Sequence, residues 1–245
     1  MNEFKLPTEQ VELPSKGLLY SKDSPLSSGK IELKYMTAKE EDILTNQNYI
    51  KQGIVIDKLL KSLIVDKINY NDLLIGDKNA IMIAARILSY GSKYNFNYDG
   101  VEQEIDLSIL ENNPLSEEIK QAESNNFSFT LPHSGNIVTF KLLTHGDDNK
   151  IDSELKGLKK LKKEGTSDVT ARLAHMITSI NGSEEKKDIR EFVNNYFLAK
   201  DAREFRKFYQ SISPDVDLTV TLFNSNGDEE DTDLPIGIYF FWPDA

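Results

Sequence analysis

Three histidines, His133, His145 and His175, are the side chains in this sequence best suited to metal or proton chemistry, and no cysteine accompanies them. No two of them stand at a ligand-like spacing such as H-x-x-x-H, and two lie beside expected turns. Together with Asp147-Asp148 they allow one catalytic reading, a metal-dependent hydrolase. Solvated or capping histidines are the plainer account. Ser15-Lys16 and Ser21-Lys22 are adjacent residues, not a nucleophile set against its base, because a fold assembles such a dyad. Neither a G-x-S-x-G elbow nor a G-x-x-x-x-G-K-[ST] phosphate loop occurs. The acidic stretch from Asn224 to Asp233 has cation-binding residue types. Its glycine comes fourth, however, where an EF-hand loop needs it sixth. It reads as an exposed hairpin tip. The expectation is a protein that is not an enzyme and that holds no metal and no cofactor.

The bulk properties point the same way. There are 29 basic and 40 acidic residues, a formal net charge of -11, so the chain repels nucleic-acid phosphates overall. Lys156-Gly-Leu-Lys-Lys-Leu-Lys-Lys163 is the one basic run. No aromatic side chain interleaves it, so it reads as a solvated helix face and not as a DNA-binding or tape-binding element. The absence of cysteine removes disulfides and sulfur-ligated zinc and fits a reducing compartment. Met1 runs into polar and charged residues with no basic-then-apolar leader, so no secretory signal is expected. No apolar run approaches the roughly 20 residues that span a bilayer. Protein surfaces are the expected partners, with a homo-oligomer possible, and neither nucleic acid nor membrane is expected.

The elements that would position any site follow from local pattern. Residues 31–36 alternate like a half-buried strand, and Thr37 with Glu40 forms a capping box that starts a helix. Val55, Leu59, Leu60, Leu63 and Ile64 make one helical stripe, and Asp77 reads as the cap of the next helix, whose core face is Ile81, Ala84, Ala85 and Leu88. Tyr94 to Leu107 is a hairpin around Asp99-Gly100, and Phe127 to Leu143 is a second hairpin. Between them lies loop with a short helix. The stretch 148–206 reads as mostly helical, with Val169, Leu173, Met176, Ile177 and Ile180 on one helix face, Ser183 capping the next helix, and Asp201 with Glu204 forming another capping box. A final hairpin turns at Asn224-Ser-Asn-Gly227.

The expected class is α+β, helical bundles combined with antiparallel β-hairpins. Its parts are an extended N-terminal arm over 1–30, helices plus a hairpin over 31–110, a loop and second hairpin over 111–143, and a helical region ending in a hairpin over 144–245.

Two apolar segments remain. Leu18-Leu19-Tyr20 is set between Pro14 and Pro25, and Tyr239-Phe-Phe-Trp-Pro243 closes the chain with its densest aromatic cluster. Phe240 suits the core. Tyr239, Phe241 and Trp242 are the aromatic residue types that dominate interfaces, so they are assigned to partner contact. Residues 11–25 are assigned to a docking arm that inserts Leu13, Leu18, Leu19 and Tyr20 into apolar pockets of this chain or of another subunit. Each buried side chain there would contribute roughly 1.5–3 kcal/mol before ordering costs.

Three segments, taken in order, carry a resemblance. They are Leu13-Pro-Ser-Lys-Gly-Leu-Leu-Tyr20, then Met36 to Leu44 running on to Arg86 and Tyr90-Gly91, and last Pro214-Asp-Val-Asp-Leu218 with Leu234-Pro235 and Phe240-Phe-Trp-Pro-Asp-Ala245. Together they resemble the baseplate hub and hub-assembly proteins of contractile-tailed phages of the T-even type. The resemblance implies a structural component of the tail baseplate hub that contacts other hub and tail proteins. It further implies residence in the virion tail and, during assembly, in the host cytoplasm. The alternative within the family is a transient assembly chaperone that is absent from the finished particle. Many members of the family it resembles carry C-x-x-C pairs at hairpin tips where this chain has Tyr98-Asp-Gly100 and Asn224-Ser-Asn-Gly227, so the resemblance implies that plain turns hold these hairpins here.

Overall fold

The computed structural model describes residues 6–160 and 168–241. The chain opens with strand β1 (Thr8–Glu12), which pairs antiparallel with β2 (Lys30–Lys34), Val11 opposite Ile31. The alternation in β2 buries Ile31 and Leu33 and leaves Lys30 in water. Helices α1 (Ala38–Leu44), α2 (Gln47–Gln52) and α3 (Val55–Leu63) follow. The capping box forms as the sequence predicts. The Thr37 amide and hydroxyl both donate to the Glu40 carboxylate, at 3.0 and 2.6 Å. Burial opposes its charge, but hydrogen bonds from Lys34, Thr37 and Ser62 hold that carboxyl down at about 2.

Helix α4 (Ile75–Tyr90) runs through the first core, and β3 (Lys93–Tyr98) and β4 (Val101–Asp106) form the hairpin after it. Asp99 and Gly100 both take positive φ, at 47° and 81°, as a two-residue hairpin turn requires. A short helix α5 (Glu117–Lys120) leads to β5 (Phe127–Thr130) and β6 (Ile137–Phe140). Then come α6 (His145–Lys160), α7 (Asp168–Met176), β7 (Ile177–Ile180), α8 (Lys186–Asn195) and α9 (Ala199–Ile212). The last hairpin pairs β8 (Thr219–Phe223) with β9 (Glu229–Asp233). The class is α+β, with small antiparallel sheets set among helices.

Among the described residues two large apolar cores, with a small third one of Leu143, Ile151 and Ala171 at α6 and α7, organise these elements. One gathers Leu13, Leu33, Leu59, Leu60, Ile81, Leu107, Leu222, Phe240 and Phe241. The other gathers Leu19, Leu74, Phe127, Phe140, Phe192 and Phe205. The C-terminal hairpin therefore packs in the first core, with residues more than a hundred positions away, and not with the helices that precede it.

Three local expectations change. The apolar face read as one helix from Val169 to Ile180 divides: α7 stops at Met176, and Ile177–Ile180 becomes the third strand of the β5-β6-β7 sheet. An unpaired β6 edge and a β-branched Ile-Thr-Ser-Ile run outweigh helical spacing here. The Thr139 hydroxyl meets Ser179 at 2.6 Å across the new pair. Ser183 does not cap α8, whose N-cap is Glu185. Its hydroxyl donates instead to Asp188 in the first turn. Asp77 and Asp201 are not caps either, since α4 and α9 begin two residues before them, after Leu74 and Leu198.

Candidate functional site

Helix α4 is where the distant segments of the sequence meet. Near its start, the buried Asp77 carboxylate accepts hydrogen bonds from the Ser15 amide at 2.9 Å, the Ser15 hydroxyl at 2.7 Å and the Tyr20 hydroxyl at 2.5 Å. The Tyr20 oxygen in turn accepts the amide of Leu74, the helix N-cap, at 3.0 Å. The Tyr20 hydroxyl, from the N-terminal segment, thus bridges the amide of the N-cap residue to the acid in the first turn. Burial pushes the Asp77 carboxyl above its ordinary range. The bonds from Ser15 and Tyr20 oppose this, and the nearby Asp215 charge adds to it.

The same helix holds the C-terminal segments. A Cβ on Gly76 would lie 1.9 Å from the Pro214 carbonyl oxygen, so only glycine permits this approach. One turn on, the Asn79 amide donates to both Asp215 oxygens at 3.1 and 3.2 Å. Farther along, the buried Arg86 donates to the Phe240 carbonyl at 3.0 Å and the Gly91 carbonyl at 3.1 Å, and its guanidinium lies over the Tyr90 and Tyr94 rings. From sequence, Arg86 reads only as an interruption of an apolar run. In the fold it pins the end of the described chain.

The two hairpin tips that lack cysteine also meet. The Asp99 carboxylate accepts from the Ser225 amide at 2.9 Å and hydroxyl at 2.5 Å, and the Tyr98 hydroxyl bonds to Glu230. Behind the tips, the Gln103 side-chain amide donates to the Phe223 carbonyl and its oxygen accepts the Phe223 amide, at 2.9 and 3.2 Å. Side-chain hydrogen bonds join two turns more than a hundred residues apart.

The histidines do not converge. His145 is buried and faces the Asp57 carboxylate at 3.3 Å and Lys78 at 3.2 Å, with its ring edge-on to Tyr70. His175 pairs with Glu154, and His133 contributes its backbone amide to Asp201. Asp147 closes a capping box with Thr144 at the start of α6 and binds Lys141 at 2.7 Å, while Asp148 pairs with Arg172. Among the described residues, no group of three or more His, Asp or Glu side chains is placed to hold a metal ion. No helix among them is long and apolar enough to cross a membrane.

The side chains assigned to partners divide. Leu13 and Leu19 fill the two large cores of this chain, and Tyr20 is half-buried on Asp77. Residues 13–20 are not an extended arm but a chain of turns, linked by the Lys16, Leu18 and Tyr20 amides donating three residues back. Phe241 is fully buried beside Phe240, their rings 5.6 Å apart. For Leu13 and Leu19 the pockets are those of this chain, one of the two alternatives the sequence leaves open, and Phe241, assigned to partner contact, lies in this chain's own core. Leu18 is 41% exposed and Tyr239 73% exposed. Trp242 lies outside the described residues, as does the end of the lysine run.

Sequence reasoning missed Asp77 as a latch, Arg86, Gln103 and Asp201, because each acts on a partner more than sixty positions away.

A family model described as T4 bacteriophage base plate protein matches residues 8–241. No curated protein and no solved structure matches the chain significantly.

Proposed function

Since this chain belongs to the T4 bacteriophage base plate protein family, we propose that it is a structural component of the baseplate hub, acting through contacts with other hub and tail proteins during assembly. The match over residues 8–241 carries this reading, because it spans both large cores and every latch on α4. A frame tied at three points along one helix suits a part that has to present fixed surfaces to several neighbours. Leu18 and Tyr239 keep their assignment as partner contacts. Leu13, Leu19 and Phe241 serve the frame that carries them.

Mass spectrometry of purified virions tests the proposal. A resident hub component is present in intact particles at constant stoichiometry with other baseplate proteins. Its absence from particles that cannot assemble without it overturns residency in favour of a transient assembly role. Deleting residues 1–25 is not a clean test of partner docking, because it removes β1 and the buried Leu13.

A further inference from the structure

The lobe built from the two joined hairpins holds a cleft that the latches on α4 leave unused. Near the tips, Gln103 ties β4 to Phe223 of β8. At the base, the Asp217 amide donates to the Glu111 carbonyl at 2.8 Å. Between these ties lies an opening of about 590 Å³. Ile105, Leu110 and Val220 line it, with Glu104, Glu111 and Asp217 also on its walls. Ile109 stands at the same opening, 70% exposed.

The edge of β8 opens on this cleft. Asn224 and Leu218 exchange bonds with the β9 side, so the alternating antiparallel pattern turns the peptide groups of Thr219, Thr221 and Phe223 away from β9. Gln103 satisfies Phe223, and Asp217 accepts the Thr219 amide. The edge at Thr221 is left facing the opening.

Charge selects the partner. From Lys93 to Glu111 there are five carboxylates and one cation, and from Pro214 to Phe241 there are seven carboxylates and no lysine or arginine. The excess of eleven equals the formal net charge of the whole chain, -11. These two segments together carry an excess equal to the protein's net charge, and their hairpins frame a cleft lined by aliphatic and acidic side chains in comparable measure. A field of this kind steers cationic partners and repels acidic ones.

We infer that this cleft docks an extended basic segment of another tail protein, one that alternates lysine or arginine with aliphatic residues. The aliphatic side chains lie against Ile105, Ile109 and Val220, and the cations lie against Glu111 and Asp217 and against Glu104, where they compete with Lys93 of the same hairpin, 2.9 Å from that carboxylate. The edge at Thr221 offers main-chain pairing to the incoming strand. This rests on the reading of the chain as a protein that works through protein contacts and specifies the chemistry of one contact.

The test titrates the full-length protein with a short fluorescent peptide of alternating lysine and valine at about 50 mM salt, where screening is weak. An alternating glutamate–valine peptide and an all-lysine peptide serve as comparisons. The lysine–valine peptide binds best, and Glu104→Lys with Ile109→Ser weakens it by about tenfold or more. Glu229→Lys with Ile137→Ser makes the same chemical changes outside the cleft and costs less than about threefold. Thermal melts of both double variants confirm that they fold. Equal losses in the two variants, equal binding of all-lysine peptide, or no binding at all overturns the inference. Concentration-dependent self-association abolished by the Glu104 variant overturns it in favour of a second copy as occupant. None of these outcomes alters the virion measurement, so the cleft and the baseplate role stand or fall separately.

Discussion

Asp77 and Asp201 occupy the same position, the third residue of helices α4 and α9, and both are fully buried. Each follows an apolar N-cap, Leu74 or Leu198, and each reaches past its own helix to seize a distant loop. Asp77 takes one amide and two hydroxyls from Ser15 and Tyr20. Asp201 takes two amides, from His133 at 2.8 Å and Ser134 at 3.0 Å. Their acidities nevertheless move in opposite directions. Burial dominates at Asp77, with the Asp215 charge adding to it, and raises its pKa. At Asp201 burial also raises, but the bonds from Ser134 and His133 outweigh it, and the pKa falls. Position in a helix does not settle how a carboxylate behaves. The number of fixed amide donors and the charges nearby do.

Breaking the loop that each aspartate holds should reveal which latch carries more of the structure. Leu13→Ala, beside the Asp77 latch, is expected to cost about 2–5 kcal/mol, because it empties a fully buried site. Leu18→Ala, in the same turns but exposed, should stay within about 0.5 kcal/mol. Urea unfolding at neutral pH checks the pair. Equal small losses would mean that the segment is not part of the core.

Asp201→Asn comes next. Both carboxylate oxygens accept fixed backbone amides, and an asparagine turns one acceptor into a donor facing a donor, at a cost of about 1–3 kcal/mol. Asp77→Asn should cost less, under about 1 kcal/mol, because the hydroxyls on its second oxygen can reverse and accept instead. Finding Asp77→Asn the more damaging would refute the idea that donor type separates the two. Tyr20→Phe should cost about 1–2 kcal/mol, since it also strands the Leu74 amide.

The sequence shows plainly those elements whose partners are close. Thr37 and Glu40 are three residues apart, Asp99-Gly100 makes its own turn, and both appear in the fold as read. The latches are hidden because an aspartate ahead of an apolar run looks the same whether it caps its helix or binds a loop elsewhere. Asp147 does the first, with Thr144 in place, while Asp77 and Asp201 do the second after leucines. The leucine before each run was the available signal, since an apolar N-cap leaves the acid free for other donors. Strand β7 was hidden for a related reason: its partner β6 is some forty residues back, and helical spacing in isolation fits Ile177 and Ile180 equally well. The α4 frame was legible only as three separate motifs. Nothing local says that Ser15, Pro214 and Phe240 share one helix.

The smallest effect is also the most discriminating, because it has opposite signs at the two latches. A carboxyl whose pKa rises on folding binds its proton more tightly in the folded state. Its stabilisation is therefore complete below the unfolded value near 3.9 and is lost as pH climbs through the folded value. Asp77 belongs to this class, so the stability of the wild type relative to Asp77→Asn should decline as pH rises above about 4. Asp201 belongs to the other class. Its stabilisation is present above about 4 and fades as pH falls towards the depressed folded value, so the advantage over Asp201→Asn should shrink below pH 4. Denaturant midpoints of the three proteins, measured from pH 3 to pH 8, give two difference curves of opposite slope. Curves of the same slope would mean that the two buried aspartates, for all their different donors, titrate alike.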